Sequence, residues 1–264
     1  MKGATRVTSV VGSARSELRR ARRILGFASL TSGMLAMYRA HDRLAAERER
    51  DALRERYVHR WSKELLELFG IHLTVVGAAH GKRSGGRLVV ANHRSTIDIG
   101  ILLREFGGHV VSRDDLAHWP LVGAAARSVG TVFVDRASTA SGVNAIRAMT
   151  RLLEGGASVT VFPEGTTFDG DLVRPFHKGA FVAARAADVP VVPVGIAYAS
   201  GTDAAFVAES FAEHLGRLAK TKITRVAVVV GEDMPPERNS ERAARGARDR
   251  VGELVLAARR VVGE

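Results

Sequence analysis

The chain contains no cysteine. That one absence removes disulfides, thiolate zinc sites, iron–sulfur clusters and a cysteine nucleophile together, and it fits a reducing compartment. No run of 18 uninterrupted apolar residues occurs, so an ordinary membrane-spanning helix is not expected. No segment recurs at a fixed period, which excludes a solenoid or a repeat-built fibre. Neither a G-x-S-x-G elbow nor an H-E-x-x-H pair is present, and the histidines are scattered, so no hydrolase serine and no metal site are expected. What is there is 264 residues, 46% hydrophobic and 25% charged. That is a globular chain of one large domain, or one domain with an appendage.

The charge is concentrated at one end. Of a net +11, the segment Met1–Lys63 carries +9, from 15 basic against 6 acidic residues. A nucleic-acid-binding domain spreads its basic groups over the face that meets phosphate, so nucleic acid is not the expected partner. The basic cluster Arg19, Arg20, Arg22, Arg23 precedes a 15-residue apolar run, Ile24–Tyr38, and a charged stretch follows from Arg39 to Arg60. As a helix the apolar run would be roughly 22 Å long, short of a hydrocarbon core of about 30 Å. A helix lying in one leaflet suits it, with each nearby Arg adding about 1 kcal/mol on an anionic surface. The other reading is a helix packing its apolar face on the protein's own core.

Beyond Trp61–Leu68, whose helical spacing stops at Gly70, short β-branched runs take over. Strands are expected near Ile71–Val76, Arg87–Val90, His109–Val111, Thr131–Val134, Ser158–Phe162, Val191–Ala197 and Arg225–Val230. Helices are expected at Ile97–Phe106, Leu121–Val129, Ser141–Leu153, Gly179–Ala187, Phe206–Leu218 and Ser240–Val262. The alternation predicts an α/β fold, a mixed, largely parallel sheet flanked by helices, after an N-terminal basic amphipathic helical segment. Residues 1–66 are expected to form that membrane-associating segment, and 67–264 the catalytic domain. In such sheets chemistry sits where the strands end.

After Ala91 the chain reads Asn92-His93-Arg94-Ser95-Thr96-Ile97-Asp98. Two side chains five apart on one helix differ by about 140°, so His93 and Asp98 meet only if the histidine lies in the loop and the aspartate in the first helical turn. Ser95 or Thr96 would cap that helix. The carboxylate would then fix the imidazole tautomer and leave the other nitrogen to take a proton from a hydroxyl. With no serine elbow, that hydroxyl would be the substrate's. Asp135-Arg136 follows the fourth strand, a cation where a phosphate could sit, and Pro163-Glu164-Gly165-Thr166-Thr167 follows the fifth, a turn presenting one carboxylate.

Together, Asn92-His93 with Asp98, Gly130 to Arg136, Phe162-Pro163-Glu164-Gly165-Thr166, and Val189 to Val194 resemble the four ordered blocks of the glycerolipid acyltransferases. The resemblance covers roughly 88–198. It implies that His93 is the general base and Asp98 its orienting partner. It implies a lysolipid hydroxyl as acceptor, a fatty acyl thioester on coenzyme A or acyl carrier protein as co-substrate, and no other cofactor. It also implies that Arg136 and the Glu164-Gly165-Thr166 turn bind the acceptor's phosphate and glycerol. One departure matters: the phosphatidate-making members commonly have Arg straight after this block, where this chain has Thr167. Arg174 or Lys178, just downstream, would replace it, or the head group differs. Lysophosphatidate is the leading acceptor, with lyso-ornithine lipid or a remodelled lysophospholipid as the alternatives. A thioesterase and a non-catalytic membrane-binding protein are the readings from other classes. Both substrates partition into bilayers and the thioester carriers are cytosolic, so a peripheral or monotopic protein on the cytoplasmic face is expected, docked through residues 19–60.

Overall fold

The computed structural model describes residues 2–77, 85–135, 137–201 and 204–263. Two helices come first, α1 (Lys2–Leu44) and α2 (Glu47–Phe69), followed by β1 (Ile71–Val76), β2 (Arg87–Ala91), α3 (Ile97–Phe106), β3 (His109–Arg113) and a 3-10 turn at Asp114–His118. Then come α4 (Val122–Ser128), β4 (Val132–Val134), α5 (Thr139–Glu154), β5 (Ser158–Val161), α6 (Gly179–Ala186), β6 (Val191–Tyr198), α7 (Phe211–Lys220), β7 (Thr224–Val230) and α8 (Ser240–Val261). The strands form one sheet in the order β1-β7-β6-β2-β5-β3-β4. Every neighbouring pair is parallel except β6 with β7. The mixed, largely parallel α/β sheet read from the alternation is the fold.

The central strands explain themselves. Leu88 to Ala91 of β2 and all of β6 are buried, as expected of strands covered on both faces. On one face Phe27 of α1, Leu66 and Phe69 of α2, Ile101 and Phe106 of α3 and Leu218 of α7 join a single core with the sheet. On the other, α5, α6 and α8 contribute Met149, Phe181, Ala247 and Val251. β6 lies between β2 and β7, and β2 lies between β6 and β5. Because β2, β5 and β6 run parallel, their carboxyl ends are adjacent at one edge, and residues leaving those strands converge there.

The N-terminal helices are built into this core. A division at residue 66 falls inside α2, which ends only at Gly70, held left-handed with φ 69° and its N–H on Glu67 O and Leu66 O. Phe27 meets Phe69 edge-on at 6.4 Å and Phe211 at 6.5 Å. Part of the Arg cluster is used internally: the Arg23 guanidinium, almost wholly buried, donates to Thr221 O and Lys222 O, and Arg19 donates to Lys220 O. Those carbonyls end α7, where cations are favoured. The apolar run divides between two environments, with Phe27 and Tyr38 buried and Leu25 and Met37 exposed. Among the described residues no helix is long and apolar enough to cross a membrane.

One helix starts later than its pattern predicts. Phe206 to Ser210 are not helical, because Phe206 N donates to Arg94 O, Thr167 Oγ1 donates to Phe206 O, and a Ser210–Glu213 capping box sets the first turn of α7.

Candidate active site

Asn92 sets the geometry as the chain leaves β2. Its side chain is locked to the β6 backbone, Nδ2 donating to Ile196 O at 2.9 Å and Oδ1 accepting from Ile196 N at 2.8 Å. His93 follows in the loop, and its Nδ1 lies 2.9 Å from Asp98 Oδ2 in the first turn of α3. A carboxylate only accepts, so Nδ1 carries the hydrogen and, in the neutral ring, Nε2 keeps its lone pair. The ring lies flat on Phe162, centroids 3.9 Å apart and planes 13° apart, which fixes its orientation.

Asp98 is fully buried and accepts from four donors: His93, Arg94 N at 2.7 Å, Ser95 N at 2.9 Å and Tyr198 Oη at 2.5 Å. Of the two residues expected to cap the helix, Ser95 engages its start, Oγ accepting from Ile97 N at 3.4 Å, while Thr96 makes no side-chain capping bond; Asp98 reaches back to the Arg94 and Ser95 N–H groups. One carboxylate both closes the helix start and orients the imidazole. Burial and the neighbouring Asp98 push the Tyr198 phenol well above its ordinary range, so it stays a hydrogen donor.

The Phe162–Thr167 turn braces the same loop. Glu164 Oε1 accepts from His93 N and from the Arg94 guanidinium, both at 2.8 Å, and Oε2 accepts from Arg174 N at 2.8 Å. Its side chain has no solvent exposure and does not border the cavity. Glu164, expected at the acceptor's head group, is a buried brace in this structure: its oxygens face protein donors on three sides. Arg94, also buried, extends the brace to the backbone carbonyls of Gly170 and Leu172.

His93 borders a cavity of about 790 Å³, within the range of roughly 300–1,000 Å³ usual for ligand sites. Its walls come from the N-terminal helices, α3, the segment from β3 to β4, and α7, among them Phe27, Met34, Trp61, Leu103, Trp119 and Phe211. Gly165, Thr166 and Thr167 border it as well. The charged residues among those described on its lining are Arg113, Asp115 and Glu209. Arg113 and Asp115 pair at 3.1 Å, and Glu209 engages Arg217 and His214.

The remaining predicted residues are placed as follows. Arg174 is exposed, its guanidinium 4.7 Å over the Phe168 ring, and Lys178 is exposed and paired with Glu241 at 2.7 Å. Neither borders the cavity. Arg136 lies outside the described residues. The sequence pattern assigns no role to Asn92, Phe162, Arg94 or Tyr198. The first three stand inside its own motifs, and Tyr198 is signalled only by a lone phenol ending a strand of Val, Pro, Gly, Ile and Ala.

The chain is similar to known acyltransferases. The family model described as Acyltransferase matches residues 72–197. Over 225 residues, 83% of this chain and 85% of the relative, the chain is 31% identical to the lyso-ornithine lipid O-acyltransferase of Pseudomonas aeruginosa. It is 35% identical over 130 residues to the 1-acyl-sn-glycerol-3-phosphate acyltransferase alpha of Ovis aries, covering 48% of this chain and 45% of that one. The solved 1-acyl-sn-glycerophosphate acyltransferase of Thermotoga maritima shares the fold, with a TM-score of 0.73 over 95% of this chain and 96% of that one at 22% identity.

Proposed function

Because the chain belongs to the glycerolipid acyltransferase family, we propose that it moves a fatty acyl group from a coenzyme A or acyl carrier protein thioester to the free hydroxyl of a lysolipid, with His93 as general base. The carrying observation is the His93–Asp98 pair at the edge of a large apolar cavity. His93 Nε2 takes the hydroxyl proton as that oxygen attacks the thioester carbonyl, and it returns the proton to the departing thiolate. Asp98 holds the ring and stabilises the imidazolium that forms between the two steps. Such proton transfer contributes about 10²–10⁴-fold. The apolar cavity would hold acyl chain, and fixing both substrates near one ring supplies much of the rest.

For the acceptor, a zwitterionic head group is the first reading. Among the described residues the lining offers a doubly charged phosphate one cation, Arg113, already paired with Asp115, and Thr167 stands in place of Arg, which suits a lyso-ornithine lipid better. Lysophosphatidate is the second reading, favoured by Arg136 after β4 and by relatives such as that of Ovis aries. Docking on the cytoplasmic face of a membrane is part of the same proposal, supported by exposed Leu18, Leu25 and Met37 on α1.

The test is thiol release from an acyl-coenzyme A in mixed micelles, with lyso-ornithine lipid, lysophosphatidate, lysophosphatidylethanolamine and lysophosphatidylcholine offered separately. Release that requires one lysolipid and falls at least about 10²-fold in His93→Ala supports the reading and names the acceptor. His93-dependent release without any lysolipid would make the protein a thioesterase.

A further inference from the structure

We infer that Tyr198 is a positioning residue of this site, acting on His93 through Asp98. The inference rests on His93 being the base, and one arm of its test needs no turnover.

Asp98 Oδ2 carries His93 and two backbone N–H groups, while Oδ1 is held by the Tyr198 hydroxyl at 2.5 Å. That distance is in the range of an O–H donor to a carboxylate. A carboxylate is planar, so fixing Oδ1 fixes the torsion that aims Oδ2 at the imidazole. Packing alone asks only for a ring at this place, since β6 is buried along its whole length. The hydroxyl is the part that packing does not explain. It is also backed from behind: the Ser95 side chain interacts with it, Ser95 Oγ lies 3.3 Å from His214 Nε2, and His214 Nδ1 lies 2.9 Å from Glu209 Oε1. A buried line of polar groups thus runs from the cavity wall at Glu209, through α7, to the catalytic pair.

Sheet order makes this possible. β6 runs parallel to β2 and continues past the Ala91–Val194 pair where β2 stops, so Tyr198 at its end stands beside the loop that carries His93.

The chemistry gives a signed expectation. Removing the hydroxyl leaves Asp98 Oδ1 unpaired, which makes its negative charge more available to the imidazolium and frees the carboxylate to rotate. Tyr198→Phe is expected to lower kcat about 10–100-fold with both KM values within about threefold. The His93 ring titration, followed by NMR and assigned by its absence in His93→Ala, is expected to move up by at least about half a unit. In an Asp98→Ala background, Tyr198→Phe is expected to cost less than about twofold more. Unchanged kcat with an unshifted titration overturns the inference, as does a further loss of about tenfold or more in the Asp98→Ala background. If Tyr198→Phe does not fold, Ser95→Ala is expected to shift the titration in the same direction by less, and no shift overturns the inference. Absence of His93-dependent transfer in the wild type would sink the base assignment, and the titration would still decide the coupling of Tyr198 to His93.

Discussion

At the scale of single residues, Glu164 shows how a motif can be recognised without its members' contacts being legible. Its place in Phe162-Pro163-Glu164-Gly165-Thr166 resembles a head-group contact, yet its carboxylate joins the His93 loop, the Arg94 guanidinium and the Arg174 backbone. Removing one partner of a buried ion pair costs about 3–5 kcal/mol. Glu164→Gln is therefore expected to lower the urea unfolding midpoint sharply, and to reduce kcat more than it raises the acceptor KM. A variant of wild-type stability with only a raised KM would return Glu164 to the substrate. The meeting of His93 and Asp98, by contrast, is legible in the residue spacing alone. Five residues across a loop–helix boundary is local geometry, so the pairing can be anticipated without knowing the strand order.

At the scale of elements, α1 carries two burdens on two faces. Phe27, Met34 and Leu35 wall the cavity, and Leu18, Leu25 and Met37 face outward. Deleting the helix would open the core as well as remove the outward face, so point substitutions separate the two. Leu18→Glu with Leu25→Glu is expected to reduce flotation with anionic liposomes at least about fivefold while leaving the melting temperature within a few degrees. Wild-type binding is expected to weaken as salt rises, because exposed charges are screened. Equal flotation of variant and wild type would assign α1 to the protein's own core alone. Local pattern finds this helix, and it places all seven strands to within a residue or two. It sets the start of α7 five residues early, since Phe206 is held out of the helix by Arg94 and Thr167, far away in sequence.

At the scale of the whole molecule, stability should depend on pH through two buried histidines. His109, among Arg54, Asp51 and Gly130 O, has its pKa lowered first by burial and then by Arg54. His214, facing Glu209, Arg217 and Asp98, is lowered chiefly by burial, against the raising effect of Glu209. Above about pH 6.5, their ordinary value, both are neutral folded and unfolded, and neither diminishes stability. As pH falls through that value the unfolded chain takes up protons that the folded chain does not. Each histidine then costs up to about 1.4 kcal/mol per pH unit, until the folded state protonates too. Urea midpoints at pH 7.5 and 5.5 are expected to show this loss, and His109→Gln or His214→Gln to make it shallower. Equal midpoints at the two pH values would mean that neither ring is held neutral. By itself the sequence determined the α/β alternation, the seven strands and the His93–Asp98 pair, because propensity, turn residues and short spacings act between near neighbours. Only the tertiary structure decided that β6 runs beside β2, that Tyr198 therefore reaches Asp98, that Glu164 turns inward, and that α1 and α2 wall the cavity. Those contacts join residues up to a hundred or more positions apart, and strand order and burial, which no local pattern encodes, select them.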